Sequence, residues 1–465
     1  MDFEKLIEGY KKDIIEDTQK LVKIKSVQGD KKEGMPFGEG PNKALEYTLN
    51  LAERLGFKTE NFDGYAGHAE IGEGKEVVGI LAHLDVVPEG EGWTYPPYSG
   101  EIHDNKIYGR GTIDDKGPAI ASLYAMKAIK ESNVKLNKRV RIIFGTNEET
   151  GWGGINYYLK KVKEPDLAFT PDAEFPVIHG EKGIMIFNLV KEFNKKVTSD
   201  IVIKNIKGGN APNMVPDSCI ALLDVKEEKK EYLKTSLDNF IDKTGFKMSL
   251  EENNEIKIIS KGISAHGSMP ESGQNAISQL IKFLATLDLD DSDVSNLIKF
   301  YDKKIGMEYY GQSIGCGLED DLSGKLIFNV GVIDLNEDKA SISVNIRYPI
   351  KYDEEIVYNG MKKELKDLNI RIDELDHMKP IYVEKDHELV KKLMKVYKSV
   401  TGDQNSDAIT IGGGTYARAM SNAVAFGPLF PGKEELAHQK DEYISIDDLI
   451  KCSKIFTKAI YELAK

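Results

Sequence analysis

Three cysteines among 465 residues, Cys219, Cys316 and Cys452, leave this chain without a disulfide framework. They stand far apart, with no CxxC or Cys/His spacing, so no thiolate zinc site is suggested and reduced structural cysteines are expected. Positive charge is also short: 63 Lys and Arg face 76 Asp and Glu, a formal charge of −13. Nucleic-acid affinity rests on neutralising phosphates with basic side chains, so a bulk DNA or RNA partner is not expected. No apolar run approaches the roughly 20 residues that cross a bilayer. The opening "MDFEKLIEGYKKDI" reads as a charged amphipathic helix rather than a signal peptide. A cytoplasmic protein with no membrane partner is the expectation. Internal repeats and low-complexity linkers are missing too.

What is present is enough apolar residue, 40%, to bury a large core in a chain too long for one ordinary domain. Helical periods cover residues 2–24, 42–55, 118–131 and a short stretch near Asn156, and strand-like runs fall at "HAEIG", "EVVGILAH", "RVRIIFGT" and "DLAFT". That alternation predicts an α/β domain with a mixed sheet and helices on both faces. From about residue 183 to 380 the texture changes to strands, amphipathic helices and charged loops, including a helix over 274–287 and a strand pair at 326–333 and 341–348. An inserted α+β domain is expected there. The tail returns to α/β character, with helices at 387–400 and 446–463, and completes the first sheet. The expected boundaries are 1–182 with 381–465 for one domain and 183–380 for the other.

The unusual polar residues fall where such strands end, the place where α/β sheets collect functional groups. In "VVGILAHLDVVP" an apolar run meets His83 and Asp85, and a period of two puts both on one face. A lone histidine at a strand end is more often a hydrogen-bonded structural residue. Further along, "YGRGTIDDKGP" sets Asp114 and Asp115 before a helix, where an ordinary N-cap explains one aspartate well and two less well. The strand ending in "FGTNEETGWGG" carries adjacent Glu148 and Glu149, whose repulsion a cation removes. Asp172 follows a strand in "FTPDAEFPV", and His438 sits in "KEELAHQKDEY" near the C-terminus. Each alone has a solvated-surface explanation. Together, two histidines and several carboxylates suit a pair of divalent ions held about 3.5 to 4 Å apart.

The ordered motifs "HLDVVP", "GRGTIDDKG", "NEETG", "PDAEFPV", "SAHGSMP" and "AHQKDEY" resemble the dinuclear metallopeptidases that include carnosinase, aminoacylase and carboxypeptidase G. Across nearly the whole chain the likeness is greatest to the PepV-type bacterial dipeptidases (Xaa-His dipeptidases). The resemblance implies two divalent ions per chain, zinc in the first place with manganese or cobalt as alternatives. It implies that His83 and Asp172 bind one ion, Glu149 and His438 the other, and Asp114 both. By the same resemblance Glu148 is the general base toward water, and Asp85 accepts the other ring N–H of His83. His266 in the inserted domain is implied to stabilise the oxyanion. Asn213 and Arg347 match substrate-contacting positions, and an Arg fork suits a carboxylate. "IGGGTYARA" reads as a Gly-rich loop opening a helix, with Gly413, Gly414, Thr415 and Arg418 placed to hold a substrate carboxylate rather than a nucleotide. The function implied is hydrolysis of unblocked dipeptides by a monomer, the inserted domain serving as a lid. A deacylase or carboxypeptidase of the same family and a non-hydrolytic metal-dependent binding protein are the alternatives.

Overall fold

The computed structural model describes residues 2–195, 199–253 and 255–465. These residues form two compact units: residues 1–179 with 383–409 and 415–465, and residues 180–382 with 410–414.

The first unit is built on a mixed sheet. In spatial order its strands are Lys58–Phe62, Ala66–Ile71, Arg139–Gly145, Val77–His83, Leu167–Thr170 and Ala423–Ala425. The first three pair antiparallel, and the last four run parallel to one another. Val77–His83 is buried at every position, the pattern of a central parallel strand covered on both faces. Helices Lys116–Glu131 and Ile446–Ala464 pack on this strand and on Arg139–Gly145. Parallel strands end on the same edge, and His83 faces Gly145 in register there. That shared edge is what brings the unusual polar residues together.

The second unit is an eight-stranded antiparallel sheet. Its order is Lys247–Glu252, Ile256–Lys261, Ser218–Val225, Ile201–Gly208, Ile327–Leu335, Lys339–Tyr348, Gly183–Glu192 and Arg371–Met378. Buried positions alternate with more exposed ones, as in Ser218–Val225, because one face carries the core under helices such as Ala276–Leu284. The fold class is thus the expected one, a mixed-sheet α/β unit and an α+β unit.

Several element boundaries differ from expectation for local reasons. The helix expected over 2–24 is two, Phe3–Gly9 and Lys11–Val22, broken at Tyr10 directly after a glycine. The helix expected from residue 42 starts at Glu39, since Pro41 in its first turn removes only a donor that has no intrahelical partner. The helix expected to follow the Gly-rich loop is only the 3-10 turn Tyr416–Ala419, closed by the Thr415 hydroxyl accepting from the Ala417 N–H. So short a turn has no macrodipole to offer an anion, and that part of the expectation fails.

Candidate active site

Every charged residue of the site in the first unit lies just past a carboxyl strand end or in a loop that returns to that edge. His83 closes the central strand and is fully buried. Its Nε2 lies 2.9 Å from Asp114 Oδ1 and 3.5 Å from Asp172 Oδ1. The other oxygen of Asp114 is 3.0 Å from His438 Nε2, which is also 3.0 Å from Glu149 Oε2. One carboxylate therefore faces both histidines. The donor atoms of His83, Asp114 and Glu149 lie within 4.8 Å of one another, and so do those of His83, Glu148 and Asp172. These are hard oxygen and imidazole donors in groups of three, a chemistry that fits divalent ions.

Asp85 works differently from its expected role. The His83 Nδ1 partner is the main-chain oxygen of Asp85 at 3.0 Å, while the nearer carboxylate oxygen stands 3.6 Å away. That carboxylate instead accepts the N–H groups of Glu148 and Glu149, each at 3.0 Å. The reason is geometric: the strand ends at His83, and the buried Asp85 two residues beyond it meets the turn that follows the neighbouring strand. Asp85 thus fixes the glutamate pair.

The electrostatics follow from burial. Desolvation raises Glu148 well above the usual carboxylate range, with Asp172, Glu149 and Asp85 adding to it. Burial, then Asp114 and Glu149, push Asp172 up to about 7. Glu149 is raised by burial and by Asp114. Burial works against a charged His83, yet Asp172, Asp114 and Asp85 hold it well above its ordinary value. Half-exposed His438 is raised likewise by Asp114 and Glu149. Asp114 alone is held low, because both histidines outweigh its desolvation. A cluster in which carboxylates compete for protons is one that added positive charge relieves.

Sequence reasoning gave Asp115 no role beyond a possible N-cap and passed over Trp152 and Tyr416. Asp115 occupies the N-cap position of helix Lys116–Glu131 without capping it; its Oδ2 accepts the His83 N–H at 3.1 Å. The ordinary N-cap explanation therefore fails for both aspartates. Trp152, at a left-handed φ of 60°, donates from Nε1 to Glu148 Oε1 at 3.1 Å. Its signal was its place four residues past Glu148. Tyr416 lies edge-on to His83 and Trp152 with a buried hydroxyl, and a side chain at Gly145 would collide with that hydroxyl. His438 itself has φ 64°, an uncommon conformation that bistable or functional loops retain.

The predicted substrate residues divide between the units. Thr415, buried, and Arg418, half-buried, belong to the first. Asn213, His266, Arg347, Gly413 and Gly414 belong to the second. Within that unit two loops are paired: the Gly267 N–H donates to the Asn213 carbonyl at 2.7 Å, and Met214 bridges His266. His266 Nδ1 is 2.5 Å from the Ser268 hydroxyl. Asn329 Nδ2 holds the carbonyls on either side of Asn213, from Pro212 and Met214, at 2.9 Å each. Buried Arg347 donates from Nε to Asn345 Oδ1 at 2.9 Å.

The chain matches the model of peptidase family M20/M25/M40 over residues 79–462. It belongs to that family. This M20 chain is 40% identical to "Putative dipeptidase YtjP" of Bacillus subtilis, with 100% of both chains covered. It is 39% identical to a "Putative dipeptidase" of Staphylococcus epidermidis over 99% of this chain and 98% of the relative. In fold, the M20 chain is similar to human carnosine dipeptidase 1 at a TM-score of 0.62 and 16% identity, covering 100% and 99% of the two chains. Aminoacylhistidine dipeptidase from Vibrio alginolyticus aligns at 0.56 and 14%, covering 97% and 96%. The protein is an enzyme, a dipeptidase-like M20 hydrolase. None of its described helices is long and apolar enough to cross a membrane.

Proposed function

We propose that this M20 enzyme is a PepV-type, two-ion dipeptidase that hydrolyses unblocked dipeptides. One observation carries the reading: Asp114 presents one oxygen to His83 and the other to His438, so a single carboxylate is shared by two donor sets. His83, Asp114 and Asp172 would hold one ion, and His438, Asp114 and Glu149 would hold the other. Bound ions, zinc in the first place with manganese or cobalt as alternatives, would supply the charge that acidifies water and polarises a carbonyl.

The chain's own residues do the rest. Glu148 takes a proton from the attacking water on the oxygen that Trp152 leaves open and delivers it to the departing amine as the C–N bond breaks. Asp85 keeps that glutamate aimed by holding its backbone N–H. The inserted residues 183–380 act as the lid. His266 stabilises the oxyanion, Arg347 binds the C-terminal carboxylate with Asn213, and Gly413, Gly414, Thr415 and Arg418 complete the carboxylate pocket. Binding at both ends of the substrate counts residues and disfavours longer peptides. The working enzyme is a cytoplasmic monomer.

The test is an assay of chelator-stripped protein resupplied with zinc, manganese or cobalt against free dipeptides, tripeptides and N-acetylated amino acids. Metal-restored cleavage confined to dipeptides is expected. Turnover of only the acylated compounds moves the enzyme to the deacylase branch, and metal uptake without cleavage makes it a binding protein.

A further inference from the structure

Behind the candidate donors lies an ion pair that touches neither His83 nor the glutamates. Arg110, from "GRG", is 2% exposed, and Glu442, four residues past His438, is fully buried. Their Nη1 and Oε2 atoms are 2.7 Å apart. Burying such a pair costs more desolvation than a surface pair recovers, so its retention asks what else the two groups hold.

Each remaining bond ends on a loop that carries a candidate donor. Arg110 Nη1 also donates to the Gln439 carbonyl, next to His438, at 3.1 Å. Its Nη2 reaches the Pro88 and Glu89 carbonyls, at the end of the segment that begins with His83 and Asp85, at 3.5 and 3.4 Å. Glu442 Oε1 accepts the Ile113 N–H at 3.0 Å and the Asp114 N–H at 3.4 Å. The Glu442 carbonyl accepts from Gly109 at 2.9 Å, and Tyr443 pairs with Tyr108. Three loops distant in sequence, carrying His83, Asp114 and His438, are thus tied through one guanidinium and one carboxylate. A planar fork can do this; a lysine, as a point charge, cannot make the same set of bonds.

The geometry points to Arg110 and Glu442 as a positioning pair that sets the spacing of the two donor sets around Asp114 and thereby the affinity for the ions. The inference rests on the two-ion reading. Outer partners of metal ligands commonly control affinity by about 10- to 100-fold.

The experiment is a calorimetric titration of chelator-stripped protein with zinc chloride. Wild type should take two equivalents; no uptake by wild type overturns the two-ion reading and this inference with it. The double variant Arg110→Met with Glu442→Gln removes both charges together, avoiding an unpaired buried ion, and keeps an acceptor for the Ile113 and Asp114 N–H groups. It should fold, by circular dichroism and melting, and bind zinc about 10- to 100-fold more weakly. A comparable change at the pair of buried Arg141 and half-buried Glu70, at the other end of the same strands, should leave zinc affinity as in wild type. If the double variant does not fold, Arg110→Lys carries the same test, since it keeps the charge and loses the fork. Wild-type zinc affinity in either folded variant, or an equal loss in the Arg141 and Glu70 control, overturns the positioning role while leaving the two-ion reading intact.

Discussion

The two units hold their polar residues in opposite ways. At the strand edge of the first, Asp114, Glu148, Glu149 and Asp172 converge on two histidines, and all but Asp114 are pushed toward protonation. In the second, the candidate residues sit among neutral hydrogen bonds of their own unit: Asn329 holds the carbonyls flanking Asn213, Arg347 donates to Asn345, and His266 contacts Ser268. A charged cluster in low dielectric needs compensating charge from outside the chain, whereas hydrogen-bonded amides do not. The first arrangement is therefore one that an added cation relieves, and the second one that neutral hydrogen bonds hold in place.

Breaking each half separately sharpens this contrast. The largest effect is expected for Glu148→Gln: turnover falls by about 10²- to 10⁴-fold while both metal equivalents remain bound, read by steady-state kinetics and elemental analysis. Loss of metal instead would mean that Glu148, not Glu149, is the donor. His266→Ala should lower kcat by about 10²- to 10³-fold with metal content unchanged, because the candidate donors found among the described residues all belong to the first unit. Full activity there removes His266 from the chemistry. Asp85→Ala frees the turn carrying both glutamates, so zinc affinity should drop by about 10- to 100-fold in titrations of the folded variant.

The smallest effect is a pH dependence confined to the first unit's cluster. In the metal-free chain Asp172 keeps its proton up to about 7, and buried Glu442 behaves alike, against ordinary values of 3.8 and 4.5. The folded state then binds more protons than the unfolded one between about pH 4 and 7, so stability falls as pH rises through that window. The raised histidines act with the same sign at higher pH, since their contribution is lost as they deprotonate. Stripped protein should melt at a higher temperature at pH 5.5 than at pH 8. Zinc should reverse that order, because protons compete with the ion for its donors. An unchanged order with zinc bound places the ion elsewhere.

How much was legible depended on the kind of signal. His83, the glutamate pair and Asp172 stood out because each interrupts or ends an apolar strand run, where burial makes a charge improbable without a purpose. Arg110 and Glu442 were hidden, since a charged residue between glycines or in a polar loop looks solvated until the fold buries it. The Gly-rich loop misled for a related reason: its helix was inferred from composition, yet only a four-residue turn formed.

By itself the sequence determined the strand and helix alternation, the two textures of the chain and the set of residues available for chemistry, because these follow from local period and composition. Tertiary structure alone decided that Asp114 faces both histidines, that the Asp85 carboxylate accepts the backbone N–H groups of both glutamates, and that Arg110 meets Glu442 across 332 positions of chain. Those contacts depend on which strands lie side by side and where their common edge gathers distant loops, and no local pattern encodes that.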